Sequence, residues 1–202
     1  MKYEIISKFY HLLEITYFRK KNTSPRTGLV NNLPNSPIDI IELCGGTGVN
    51  SSMIAQHKKA ANIYCVDQSR GMLEIAKKTK KKYDLSSIHL YLEDATHTHF
   101  PAGAFDYVVL SLVLHEVNED VREALLIEAK RLVKSTGRIL IVEWEPPKRF
   151  LPKIAFLFIR LMEPKDFNLF MKYNFKAYFK QKGLNLIQTR HYDYSCIFEL
   201  KK

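Results

Sequence analysis

The sequence predicts an α/β protein: a doubly wound, mostly parallel sheet of seven strands, with an antiparallel C-terminal hairpin. Three observations carry that expectation. Apolar runs of strand length alternate four times with stretches of helical periodicity between residues 38 and 144. The first run, IDIIEL (38–43), is nearly continuous in apolar residues, as a strand covered on both faces must be. It runs into CGGTG (44–48), where glycines at 45, 46 and 48 mark a sharp bend before a helix.

The elements follow in order. Ile5, Ile6, Phe9, Leu12, Leu13 and Tyr17 fall at helical spacing, so residues 3–19 read as an amphipathic helix. Residues 20–37, rich in Pro, Asn and Ser, read mostly as loop. After the first strand and the bend comes a helix near 50–58, then a strand in NIYCVD (62–67). SRGMLEIAKKTKKKYD (69–84) is a second helix with Ser69 as its N-cap. IHLYLED (88–94) and FDYVVLSL (105–112) are strands three and four. NEDVREALLIEAKRLVK (118–134) is an amphipathic helix with Gly137 in the C-cap position, and GRILIVEW (137–144) is strand five. Parallel strands joined through helices require right-handed crossovers. Two helical stretches, 149–162 and 165–182, precede closing strands in GLNLIQTRHY and SCIFELKK. There is no internal repeat and no linker long enough to separate two units, so residues 1–202 read as one domain.

Composition narrows the class. Apolar residues make up 46% and charged residues 26%, as in ordinary globular proteins. No apolar stretch reaches the roughly 18 to 20 residues of a membrane span. The N-terminal segment carries Glu4 and Glu14 and lacks a small-residue cleavage site, which argues against a signal peptide. Cys44, Cys65 and Cys196 show no metal-ligand spacing and read as free thiols of a cytoplasmic protein. HTH (97–99) supplies two histidines without a third ligand, so no metal site is expected. The net charge of +10 is concentrated in runs such as KKTKKK (77–82). That run reads either as a solvated helix end or as attraction to an anionic partner.

The glycine bend points to a ligand. In an open parallel sheet, ligands bind at the carboxyl ends of the strands, where strand order reverses. Asp67 ends strand two, 19 residues beyond Gly48, where a carboxylate can take two ribose hydroxyls. Both NAD and S-adenosylmethionine meet those requirements. Against NAD, a G-x-G-x-x-G reading runs Gly46, Gly48, Ser51 and lacks its third glycine. Glu42, just before the turn, suits an ammonium group or a water better than a pyrophosphate. Asp94 in EDA (93–95) can accept from an adenine amino group.

Taken together, IIELCGGTG, VDQSRGML, EDA, FDYVVLSLVLHEV and RLVKSTGRILIVEW resemble a class I S-adenosylmethionine-dependent methyltransferase. The nearest flavour is the group that methylates ubiquinone and menaquinone precursors. The resemblance covers residues 38–144 and extends weakly to FYHLLE in the N-terminal helix. It departs at Cys44, where that family usually has glycine. It implies a Rossmann-like fold and S-adenosylmethionine as methyl donor, with S-adenosylhomocysteine as product. By position, Glu42, Cys44, Gly45, Gly46, Thr47 and Gly48 would line the methionine part and Asp67 the ribose. Gln68 and Met72 would lie beside ribose and adenine, and Asp94 and Ala95 would meet the adenine. Ser111 and Leu112 would face the sulfonium, with Tyr10 closing over the site. The plainer readings are that Asp67 caps a helix, that Met72 sits in the core beside Ile75 and Ala76, and that Tyr10 packs its own helix.

Methyl transfer needs positioning, exclusion of water and, for some acceptors, a base. His115 and Glu116, just beyond strand four, are the catalytic candidates, with His115 as base. Local packing at the turn is the plainer reading of His115. Glu143 and Trp144, ending strand five, would shape an acceptor pocket or simply pack. LSLVLHEV contains no Asn-Pro-Pro-Tyr segment, which argues against adenine N-methylation, and no Pro-Cys pair serves cytosine C5 chemistry.

In the family, residues 145–182 fall on the substrate side, and here they are rich in Phe, Leu, Ile and Tyr. Lys172, Lys176 and Lys180 at i, i+4, i+8 predict one basic helix face. That suits a small or lipid-like acceptor and peripheral contact with an anionic membrane. An ordinary amphipathic helix on the sheet fits too. The expectation is a cytoplasmic methyltransferase acting on a quinone precursor, phospholipid or other small molecule. The alternatives are a non-catalytic S-adenosylmethionine-binding protein, an RNA methyltransferase and, less favoured, a nicotinamide oxidoreductase.

Overall fold

In the computed structural model, which describes residues 24–147, 156–157 and 167–202, β1 (Ile38–Leu43) lies between β2 (Ala61–Asp67) and β4 (Phe105–Ser111), parallel to both. Strand β3 (Ile88–Leu92) pairs with β2, and β5 (Val133–Trp144) with β4, again in parallel. Strand β7 (Ser195–Lys201) runs antiparallel to β5, and β6 (Asn185–His191) antiparallel to β7. The order is therefore β3-β2-β1-β4-β5-β7-β6, the expected seven-stranded, mostly parallel sheet with its antiparallel hairpin. Strand order reverses between β1 and β4.

Side chains alternate across a strand, so each strand feeds two cores. Ile38 and Ile40 pack with Leu29 and Val30 of α1 (Pro25–Asn31), Ile54 of α2 (Val49–His57) and Leu73 of α3 (Arg70–Lys82). Ile41 and Leu43 face the other way. They join Leu125, Leu126 and Ala129 of α4 (Glu119–Leu132), Phe170 of α5 (Phe167–Phe170) and Phe179 of α6 (Phe175–Gln181). The two layers of helices explain why β1 reads as apolar throughout.

Local chemistry starts the helices where expected. The Ser69 side chain accepts from the Met72 N–H at the head of α3, and Asn118 accepts from the Val121 N–H at the head of α4. Glu119 and Asp120 open α4, and Lys130 and Arg131 close it, in accord with its dipole.

Two local expectations are corrected. Gly137 does not cap α4: the helix ends at Leu132, and Val133 is already extended. Gly137 lies within β5 instead, where a Cβ would stand 2.6 Å from the Asp106 carbonyl oxygen. Close approach of two strands, not a left-handed turn, requires glycine there. The predicted helix over 165–182 is also broken, because Asn174 caps a new helix by accepting from the Ala177 N–H. Lys172 thus sits in a turn, and only Lys176 and Lys180 share α6. That helix packs on the sheet through Tyr178 and Phe179, as an ordinary amphipathic helix does. The helix expected over 3–19, with Tyr10, and all of 149–162 except Phe156 and Leu157 lie outside the described residues. Among the described residues, no helix is long and apolar enough to cross a membrane.

Candidate active site

The strand registers bring the sequence-predicted positions to one edge. Leu43 pairs with Val66 and with Leu110, so the residues that follow, Cys44, Asp67 and Ser111, emerge side by side. Asp67 pairs with Leu92, and its carbonyl accepts from the Glu93 N–H at 3.2 Å, which brings Asp94 and Ala95 to the same rim. On the other side Ser111 pairs with Val142, and the Leu112 N–H donates to the Val142 carbonyl at 2.8 Å. Glu143 and Trp144 follow. The carboxyl ends of β3, β2, β1, β4 and β5 therefore form one continuous crest over the point of reversal.

The glycine turn is built at the centre of that crest. Gly46 has φ +54°, and a Cβ there would meet no atom within 4 Å, so the turn faces open space. Gly45 has no room for a Cβ, which would lie 2.4 Å from the Cys65 sulfur. Cys44 itself takes φ +55°, a left-handed conformation that costs an L-residue about 1–2 kcal/mol. This is the position where the resemblance leads one to expect glycine. Burial pushes the Cys44 thiol up to about 12, helped by the carboxylates of Asp67, Asp94, Glu116 and Glu42. The thiol therefore stays protonated at neutral pH.

Glu42 lies under the head of α2, almost fully buried. Its carboxylate accepts from the Asn50 side-chain amide at 2.9 Å and from both the N–H and the hydroxyl of Ser51. Burial raises its pKa above the usual carboxylate range, and those hydrogen bonds oppose the rise. Asp67 is half-buried. One of its oxygens accepts from the Gly46 N–H at 2.7 Å, the other from the Ser69 N–H at 2.8 Å. It therefore braces the glycine turn and the head of α3 at once. Met72 is half-buried while Leu73 and Ala76 enter the core, and Gln68 is exposed. Asp94 is exposed, and one of its oxygens accepts from the N–H and hydroxyl of Thr96, which lowers its pKa.

Past β4, Leu112 also has a positive φ, +56°, and the chain turns sharply into the 113–118 loop. His115 in that loop is 1% exposed. Its Nδ1 stands 2.5 Å from Glu143 Oε2, and its ring meets Phe167 edge to face. The other Glu143 oxygen accepts from the Leu114 N–H at 2.9 Å. An ionised carboxylate can only accept, so in this pairing it is Nδ1 that donates its hydrogen to Glu143. Glu116 is exposed, 3.9 Å from His115 Nε2. Trp144 packs nearby with Phe156 and Phe167.

Sequence reasoning named Glu143 only as a pocket wall; its partnership with His115 spans 28 residues and has no local signal. It missed Asn50, Ser51 and Arg122. Arg122 had a readable sign: with Leu125, Leu126 and Ala129 it falls at i, i+3, i+4 and i+7, on the buried side of α4. The two histidines of HTH do not meet: His99 pairs with Glu93 at 2.6 Å, and His97 is exposed.

Comparison with known proteins bears on the fold and the family. A family model described as "Methyltransferase domain" matches residues 40–137. A demethylmenaquinone methyltransferase of Bacillus licheniformis is 29% identical over 180 residues, covering 87% of this chain and 75% of that protein. The match to the Tropheryma whipplei protein of the same name covers 63% of this chain but half of that one, at 26% identity. In fold, the chain is similar to a SAM-dependent methyltransferase from Aquifex aeolicus, with a TM-score of 0.72, 15% identity and 96% of each chain covered. Sheet order, glycine turn and these similarities together support a class I S-adenosylmethionine-dependent methyltransferase related to the menaquinone group.

Proposed function

We propose that this enzyme methylates a small quinone-type or lipid-like acceptor that must lose a proton, with His115 as the base and Glu143 holding it. The observation that carries the reading is the buried His115–Glu143 pair at the end of β4, beside the glycine turn. An acceptor that arrives already nucleophilic, such as an unprotonated amine, has no use for such a pair. A ring hydroxyl does, because removing its proton raises electron density at that oxygen and at adjoining ring carbons. The relatedness to demethylmenaquinone methyltransferases points to the same acceptor chemistry.

The residues fit the methyl donor. Open space at Gly46 leaves room for a ligand against the backbone, and unused lone pairs of Asp67 can still accept ribose hydroxyls. Cys44, Gly45, Gly46, Thr47 and Gly48 would hold the methionine portion, with Glu42 beneath them fixing the head of α2. Asp94, Ala95, Gln68 and Met72 would border the adenine, and Ser111 and Leu112 the sulfonium. S-Adenosylmethionine brings a methyl group activated by positive sulfur. The protein's own work is to seat the acceptor by the 113–118 loop, exclude water and take the proton on His115 Nε2. Glu143 would stabilise the imidazolium so formed, and Glu116, exposed beside the ring, would meet the incoming acceptor.

The test uses methyl-labelled S-adenosylmethionine with reduced demethylmenaquinone and with organic and aqueous extracts of the source cells. Label in the organic product supports the reading. Label only in RNA or polar metabolites, or none in either, overturns it. In His115→Ala, kcat should fall about 10²–10⁴-fold while S-adenosylhomocysteine affinity holds. An unchanged rate removes His115 as base.

A further inference from the structure

We infer that Arg122 is a positioning residue for the reaction: it sets the loop that carries His115 and ties that loop to the α5–α6 segment. The inference rests on His115 as the base. Arg122 is on the buried side of α4 and only 4% exposed. Its Nε–H donates to the Leu114 carbonyl at 2.7 Å, and one terminal nitrogen donates to the Val117 carbonyl at 2.9 Å. These carbonyls bracket His115 and Glu116. The other terminal nitrogen meets the Glu119 carboxylate at 2.7 Å. The guanidinium lies over the Phe170 ring at 4.5 Å and near Tyr173 at 5.8 Å. Glu119 in turn accepts from the Tyr178 hydroxyl at 3.1 Å, and the Lys182 ammonium stands 3.6 Å from it.

Leu114 is thus held at both ends, its N–H by Glu143 and its carbonyl by Arg122. Between those anchors the loop has little freedom, and the imidazole of the next residue meets the second Glu143 oxygen. A buried guanidinium is costly, and apolar residues of similar volume often match or exceed the stability such groups confer. An apolar side chain there would suit the buried side of α4 equally well. What only arginine supplies is a rigid fork that satisfies two carbonyls and an acid in one plane while stacking on an aromatic ring. Through Phe170, Tyr173 and Glu119 that same group reads the seating of α5 and α6, so displacement of this segment loosens the base.

The test reads His115 directly. In histidine-labelled protein, NMR should show a downfield Nδ1–H resonance for His115, assigned by its loss in Glu143→Gln. Arg122→Met should lose that resonance to solvent exchange and speed amide exchange at Leu114 by about tenfold or more. Binding of S-adenosylhomocysteine should stay within about threefold, since Arg122 lies outside the cofactor crest. Arg122→Lys, which reaches one carbonyl but not both, should fall between; it carries the test by the same readouts if Arg122→Met does not fold. With reduced demethylmenaquinone, kcat of Arg122→Lys should drop about tenfold with little change in acceptor KM. Folded variants with the wild-type His115 resonance and Leu114 protection would overturn the inference, as would a raised KM with unchanged kcat. Failure of the wild type to methylate reduced demethylmenaquinone would count against the acceptor assignment alone, and the resonance and exchange readouts would still decide Arg122.

Discussion

At the scale of single residues, strain and burial at the glycine turn give two measurable consequences. Cys44 holds φ +55°, in the left-handed region that favours glycine. Replacing it removes about 1–2 kcal/mol of left-handed strain and adds about 0.5–1 kcal/mol of glycine entropy. The net gain of at most about 1.5 kcal/mol should raise the melting temperature in Cys44→Gly by at most about 6 °C. A lower melting temperature would show that the thiol's packing outweighs its backbone cost. The second consequence is chemical. Cys44 is half-buried, yet burial and four carboxylates hold its thiol near 12, against an ordinary value of 9.0. A group with a raised folded value is favoured in its protonated form: its contribution to stability is intact below pH 9 and is lost as pH climbs toward 12. At pH 8, iodoacetamide should label Cys44 at least about a hundredfold more slowly than an unfolded control. Cys65 and Cys196 are buried, with thiols likewise pushed up by burial, so the native protein should resist labelling throughout. Rapid native modification of Cys44 would contradict the environment described.

At the scale of elements, the β4–β5 pair decides how His115, the proposed base, is held. Ser111 pairs with Val142, which sets Glu143 beside the start of the 113–118 loop. Alternation puts Ile139, Ile141 and Glu143 on the α4 face and Leu140 and Val142 on the other. A slip of one residue would turn Glu143 away from His115. Gly137 protects that register where β5 approaches β4. A Cβ at 137 would press on the Asp106 carbonyl at 2.6 Å and on the Val133 side chain at 2.7 Å. Gly137→Ala should cost about 1–3 kcal/mol, which lowers the melting temperature by several degrees. It should also slow methyl transfer more than it weakens cofactor binding, because the proposed methionine and ribose positions follow β1 and β2. Equal losses in both would argue that β5 supports the whole sheet and not the base specifically.

At the scale of the whole molecule, the proposed ribose contact at Asp67 would link cofactor binding to the sheet. Asp67 braces Gly46 and Ser69 from the end of β2, so a ligand on its remaining lone pairs stabilises two elements together. Saturating S-adenosylhomocysteine at about a hundred times its Kd should stabilise the folded protein by about 2.7 kcal/mol. That corresponds to a shift of several degrees in melting temperature. In Asp67→Ala the shift should nearly vanish at the same ligand concentration, although the variant still melts cooperatively. A full shift in Asp67→Ala would remove the ribose assignment.

The order of strands and helices was legible in the sequence because it rests on local causes. Apolar period, Ser69 and Asn118 as caps, and the glycines after IDIIEL all act within a few residues. The positions that crowd the crest were legible for the same reason: each sits at the carboxyl end of a recognisable strand. The breaks in 165–182 and at 133–137 were misread because Asn174 and Gly137 act through a cap and a close strand contact that composition alone does not distinguish. What only the tertiary structure decided is which groups meet across the crest. Glu143 reaches His115, and Arg122 reaches Leu114 and Val117, through strand register, strand face and helix packing between segments distant in the chain. A sequence records a carboxylate at the end of a strand; only packed neighbours determine which proton it holds.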